Sequence, residues 1–341
     1  MVQKYLFALS AFVAVASAAL TRRVACPDGV NTATNAACCA FFPLRDELQN
    51  NLFNNECGQE VRESVRLTFH DGVGFSPTNG GGGADGSIIT FSDIEILFPP
   101  NDDGGVEDIV NNLKPLVSAF NVTPGDLIYF AAATALTNCA GAPRIQFFAG
   151  RPDPLGPAPD GTVNSPGDSV DVIIERFSEI GFAPEEIVAL LASHSIGAAD
   201  GVTGARHGAP FDSSAHVFDS QIFIETRMTT ALDGMVRLPS DALLARDERT
   251  ACTWQSFILD EDKMRSEFGA AMVKLSLVHQ DQDQLVDCSE LIPEAIAPLA
   301  VGPYLPGTDT AIDAACAATP FPSASLTASA SITSVTPVND F

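Results

Sequence analysis

Eight cysteines constrain this chain more than any other feature: Cys26, Cys38, Cys39, Cys57, Cys139, Cys252, Cys288 and Cys316. All follow an N-terminal stretch in which Lys4 precedes a long apolar run ending in the small residues Ala16, Ser17, Ala18 and Ala19. Such a stretch reads as a secretory signal peptide, too short and wrongly flanked for a membrane span. Arg22-Arg23 reads as a dibasic site, so residues 1–23 are expected to be a signal peptide and short propeptide, with the mature chain starting near Val24. In a secreted chain an even cysteine count predicts four disulfides. Zinc is the alternative, but there is no CxxC pair, and the adjacent Cys38 and Cys39 cannot readily turn both sulfurs to one metal. About a hundred pairings are possible, and spacing does not choose among them.

The 43 acidic against 18 basic residues give a formal net charge of −25, and losing Lys4, Arg22 and Arg23 would make it −28. That balance excludes nucleic acid and an anionic membrane surface as partners, since both need a basic face. With 46% hydrophobic and 18% charged residues, the chain is a folded protein with an acidic exterior. Asn121-Val122-Thr123 is the one glycosylation sequon, with Pro124 just after it.

Apolar residues recur at helical spacing over Cys39–Phe53, Glu56–Phe69, Val106–Phe120, Pro124–Ala135, Val170–Ile180, Pro184–Ile196 and Ser256–Leu277. Pro124 and Pro184 sit at first helical positions. No alternating run is long enough for a large sheet, so the class is mainly α. Glycine- and proline-rich loops lie between, the most biased being Asn79–Gly86, with five glycines in eight residues. Residues 323–341 are expected to close the chain as an extended tail rich in Ala, Ser, Thr and Pro.

Of five histidines, two have a chemical setting. Arg66 lies four residues before His70, on the same face of a helix, so a proton acceptor and a fixed positive charge can meet above one reacting group. His194 follows Ile187, Leu190 and Leu191 on one apolar stripe, where a core histidine is commoner than a ligand. Each is followed by a hard-cation pattern. After His70 come Asp71, Gly83, Asp85 and Ser87. After His194 come Ser195, Asp212, Ser214, Val217 and Asp219. Ordinary Asp/Ser turn chemistry explains one such cluster more easily than two, each tied to a histidine.

Arg66-Leu67-Thr68-Phe69-His70-Asp71, Gly81-Gly82-Gly83-Ala84-Asp85-Gly86-Ser87, Ala192-Ser193-His194-Ser195 and Pro210-Phe211-Asp212-Ser213-Ser214 resemble the secreted fungal haem peroxidases, the group of lignin, manganese and versatile peroxidases. The resemblance runs from about Val24 through Pro322, which sets 24–322 as the peroxidase domain. It implies a two-lobed helical fold with one haem b between a distal and a proximal lobe, hydrogen peroxide as the oxidising substrate, and a secreted monomer, with lignin breakdown as the setting. By position it implies His194 as the iron ligand, Asp241 as the carboxylate behind it, and Phe69 and Phe211 as the aromatics on the two haem faces. It gives His70 and Arg66 the peroxide chemistry, with Asn101 fixing the His70 tautomer and Glu95 behind Asn101. It makes the two cation clusters calcium sites. It pairs Cys26 with Cys39, Cys38 with Cys288, Cys57 with Cys139 and Cys252 with Cys316.

The reducing substrate rests on departures from that group. The position five before His194, where lignin and versatile peroxidases carry a surface tryptophan, is Ala189, and the single tryptophan is Trp254. The positions of the manganese carboxylates hold Gln59, Glu63 and Asp200, and Ala198 stands where some manganese enzymes place an arginine. Gln59, Glu63, Arg66 and His70 are spaced 4, 3 and 4, so one helix face carries both sets. Gln59 keeps an oxygen but loses a charge, which predicts weakened Mn(II) binding. The alternatives are a low-potential peroxidase oxidising phenols and dyes at the haem edge with no effective manganese site, and a non-catalytic calcium or haem carrier. A carrier has no use for Arg66 beside His70.

Overall fold

The computed structural model describes residues 23–101, 105–199, 206–299, 302–306, 312, 313, 315–322, 326–329 and 332–338. The signal peptide and the start of the propeptide lie outside the described residues, as does Asp200. The described chain is mainly helical, with twelve α-helical segments: α1 (Phe41–Glu47), α2 (Gln59–Gly72), α3 (Ser87–Thr90), α4 (Ser92–Glu95), α5 (Gly105–Phe120), α6 (Pro124–Leu136), α7 (Val170–Glu179), α8 (Pro184–Leu190), α9 (Gln221–Glu225), α10 (Pro239–Leu244), α11 (Ala251–Ser256) and α12 (Glu261–Leu275). Strands are confined to short pairs, such as Ala198–Ala199 against Ala209–Pro210.

Local chemistry sets several of these bounds. Thr123 caps α6 by accepting from the Asp126 N–H at 3.3 Å, with Pro124 at the first helical position. Glu186 in the first turn of α8 reaches back to the Ala183 N–H at 2.8 Å. The expected helix over Ser256–Leu277 runs only from Glu261 to Leu275, because Ser256 ends α11 and Asp260 starts α12 by accepting from the Lys263 N–H at 2.9 Å. Two other expected helices change winding. Cys39–Phe53 ends as a π turn over Leu48–Leu52, and the helix holding His194 tightens to a 3₁₀ turn over Leu191–Ile196.

The helices gather in two groups. α1, α2, α5 and α6 pack together, with α6 buried along its whole length and α2 laid against it. Phe41, Phe130 and Phe147 form one aromatic knot there, with ring centroids 4.9–5.0 Å apart. α8, α9, α11 and α12 make the second group, centred on the buried Phe223, which meets Trp254 and Phe257 edge-on. The disulfides are Cys26–Cys39, Cys38–Cys288, Cys57–Cys139 and Cys252–Cys316. The C-terminal segment lies against this body: Thr327–Ser329 pairs in parallel with Tyr304–Pro306, and the buried Val338 donates its N–H to Gly208. Among the described residues no helix is long and apolar enough to cross a membrane.

Candidate active site

Between the two helix groups lies a cavity of about 880 Å³, in the range of cofactor pockets. Arg66, Phe69 and His70 from α2 stand in one wall, and His194 and Phe211 in another. α2 is amphipathic, so burying its apolar face on α6 fixes which side chains reach the cavity.

On the α2 side, Arg66 Nε donates to His70 Nε2 at 3.1 Å, while His70 Nδ1 meets Asn101 Oδ1 at 2.6 Å. An amide oxygen only accepts, so Nδ1 carries the proton and Nε2 presents its lone pair. Burial, followed by the Arg66 charge, pushes the His70 imidazole down from 6.5 to about 3, against the pull of Asn101. Asn101 is held in turn by donating Nδ2 to the Glu95 main-chain carbonyl at 2.7 Å. Glu95 therefore supports Asn101 through its backbone. Its carboxylate is occupied instead by the Ala158 N–H at 3.0 Å and is raised to about 7, mainly by burial.

On the opposite side, His194 Nδ1 donates to Asp241 Oδ2 at 2.7 Å from the first turn of α10. That bond leaves Nε2 as the nitrogen free for a metal, the arrangement expected of a ligand imidazole. The His194 and Phe211 rings are 5.4 Å apart. The two imidazoles in facing walls, one metal-ready and one base-ready, fit a haem slot.

Two acidic clusters flank the slot. Asp71, Asp85 and Ser87 are buried together, with Gly83 in the intervening loop at φ 66°. Burial and then mutual repulsion with Asp85 and Glu95 raise Asp71 far above the carboxylate range, and burial raises Asp85. On the other side Asp212 and Ser195 are fully buried, and Asp212 Oδ2 and Ser195 Oγ have no hydrogen-bond partner. Ser214 Oγ donates to Asp219 Oδ1 at 2.9 Å, and Val217 lies in the same loop. Among the described residues no three His, Cys, Asp or Glu side chains gather as a metal group. Each cluster offers two carboxylates, completed by hydroxyl and main-chain oxygens. That all-oxygen donor set, largely buried and with Asp212 Oδ2 and Ser195 Oγ unpartnered, fits a hard cation such as calcium.

At the cavity mouth Gln59 Nε2 donates to Glu63 Oε1 at 2.8 Å, and Ala198 lines the same opening. Trp254 is buried, its Nε1 donating to the Phe223 carbonyl at 3.0 Å, and Ala189 is buried on α8. The chain therefore presents no tryptophan at its surface.

Residue patterns missed three participants. Glu225 is fully buried and raised to about 7, by burial first, and accepts from Ser213 and Gln221 beside the Asp212 cluster. Tyr129 donates its hydroxyl to Asp71 Oδ2 at 3.0 Å. Arg62, one turn before Arg66, reaches across to the His194 side.

The sequence matches the peroxidase family over residues 44–260 and the fungal peroxidase extension region over 263–339. It is 48% identical to manganese peroxidase 3 of Phlebia radiata, over 94% of this chain and 95% of that one. It is 45% identical to ligninase H2 of Phanerodontia chrysosporium, over 92% and 91% of the two chains. Versatile peroxidase VPS1 of Pleurotus eryngii is also 45% identical, over 93% of each. With the two facing histidines and these matches, the chain belongs to the fungal peroxidase family and is a haem peroxidase that uses hydrogen peroxide.

Proposed function

We propose that this enzyme is secreted and uses hydrogen peroxide to oxidise Mn(II), phenolic compounds or both, with one haem b in the slot and calcium at the two acidic clusters. The carrying observation is the His70 Nε2 lone pair set against Arg66, across the cavity from the His194–Asp241 pair. Haem, when bound, supplies the iron that receives peroxide and stores its oxidising equivalents. His194 would hold that iron through Nε2, and Asp241 would make the imidazole more anionic by accepting its other proton. Phe69 and Phe211 would pack on the two faces. His70 would take the proton from one peroxide oxygen and return it to the other, which leaves as water. Arg66 would stabilise the negative charge that develops as that bond breaks. Asn101 keeps the proton on Nδ1, so the lone pair is ready before peroxide arrives. Calcium would draw on Asp71, Gly83, Asp85 and Ser87 in one cluster and on Ser195, Asp212, Ser214, Val217 and Asp219 in the other.

Mn(II) would meet Glu63, Asp200 and the Gln59 side chain. The test is peroxide-dependent Mn(II) turnover in a chelating dicarboxylate buffer, compared for this enzyme, Gln59→Glu and Glu63→Ala. Turnover lost in Glu63→Ala and raised in Gln59→Glu supports the site. A second reading, a phenol-oxidising enzyme without effective manganese use, is favoured by the Gln59 amide. Its NH₂ group occupies Glu63 Oε1, so a cation competes with a hydrogen bond already made. Absent Mn(II) turnover in both this enzyme and Gln59→Glu, with phenol oxidation intact, would establish that second reading.

A further inference from the structure

Arg62 sits on α2 one turn before Arg66 and is only 9% exposed. Its Nε donates to the Ile196 carbonyl at 2.7 Å. Its Nη2 lies 3.3 Å from the carbonyls of Cys57 and Ala215 and 3.2 Å from His216 Nδ1. One guanidinium on the His70 helix thus grips two main-chain segments of the opposite wall.

Those segments are the ones that place the second histidine. Ile196 is two residues past His194. The next N–H, of Gly197, donates to the His194 carbonyl at 3.0 Å, and the Gly197 carbonyl accepts from the Phe211 N–H at 3.1 Å. Phe211 approaches that peptide closely: a Cβ on Gly197 would come within 2.6 Å of its ring. Ala215 and His216 lie inside the loop Asp212–Asp219, between Ser214 and Val217.

We propose that Arg62 is a positioning residue for the far wall, fixing from α2 the placement of His194 and of the Asp212–Asp219 loop. This rests on the reading of His194 as the iron ligand. The requirement is for the shape of the side chain rather than its charge. A planar fork reaches acceptors in several directions at once, whereas an ammonium on a flexible stem is a point charge. Removing the fork frees the 196–197 peptide and lets the His194 ring tilt relative to the slot.

The experiment uses haem-loaded enzyme carrying Arg62→Lys or Arg62→Gln. Arg144→Met serves as a control, because Arg144 clamps the Ile292 and Ser289 carbonyls outside the cavity wall. Three quantities are read: the iron–imidazole stretching band of the ferrous enzyme, bound calcium per chain, and the unfolding temperature. Both Arg62 variants are expected to shift the band and to lose part of the bound calcium, Lys as fully as Gln. Arg144→Met is expected to lower the unfolding temperature with the band in place. A band and calcium content unchanged in Arg62→Gln, or restored by Lys, overturns the proposal even where the unfolding temperature falls. His194→Ala tests the underlying reading separately. If the band survives that substitution, His194 is not the ligand, whatever Arg62 does.

Discussion

His70 has its protonation state set by what surrounds it. Burial and then Arg66 lower it to about 3, and a cation at the adjacent Asp71 would push the same way. The free base is therefore present at all pH values above about 3, and it is lost as pH falls through that value. The rate constant for reaction with peroxide is expected to stay flat from pH 7 to about 4 and to fall near 3, measured by stopped flow. A fall near 6.5 would mean an unperturbed imidazole. The linked stability runs the same way, present above 6.5 and lost progressively from 6.5 towards 3, because the unfolded chain takes up the proton first. Replacing the base with His70→Leu should slow the peroxide step roughly 10²–10⁴-fold while leaving haem bound through His194. Gln59→Glu works at the other end of the same face. An added carboxylate there should improve Mn(II) binding about 10- to 100-fold, read as a lower KM for Mn(II). His70 and Arg66 were legible as a pair from their spacing of four. Asn101 could be placed only through the resemblance, because its partner is 31 residues away and spacing does not join them.

α2 gathers more of the site than any other element, since Gln59, Arg62, Glu63, Arg66, His70 and Asp71 all lie within its fourteen residues. Its periodicity made that face readable in advance. The far wall was harder to read. A stripe through Ile187, Leu190 and Leu191 correctly signals a buried helix face, but nothing in it says that the winding tightens before His194. Arg62 and Tyr129 escaped for a related reason. Each is an ordinary polar residue on a helix until tertiary packing decides what it faces. The close approach of α3 to α6 rests on a glycine. Gly86 has φ 81°, and a Cβ there would stand 2.2 Å from the Gly125 nitrogen in the first turn of α6. Gly86→Ala must therefore push apart the Asp85–Ser87 loop and α6. The expected cost is about 3 kcal/mol in unfolding free energy, together with loss of calcium from the Asp71 cluster. Unchanged stability in denaturant titration would mean that the loop does not bear on α6 as described.

Long-range ties hold the body that frames the slot. Cys38 and Cys288 are separated by 250 residues, and neither the pairing nor its reach can be read from an even cysteine count. The acidic clusters do comparable work. Each places carboxylates inside the protein, and Arg151, which lies over the Tyr129 ring beside Asp71, is paired with Asp126 at 3.0 Å. Buried charge without a counter-charge destabilises a fold, so a bound cation would let Asp71 with Asp85, and Asp212 with Asp219, remain ionised inside. On the calcium reading proposed above, the acidity of the whole chain has two parts, a solvated exterior and a small interior fraction that would hold metal. Chelation separates them. Free calcium at a hundred times its Kd would stabilise each site by about 2.7 kcal/mol, or about 5–10 °C in unfolding temperature. Removing calcium should lower the unfolding temperature by that order and loosen haem, since one cluster adjoins His70 and the other His194. Calcium should restore both. Magnesium should not, because it prefers a smaller octahedral shell with retained waters. The measurement is calorimetry with metal analysis on one sample series, and an unfolding temperature indifferent to the chelator, in protein that carried no calcium, would remove metal from both clusters.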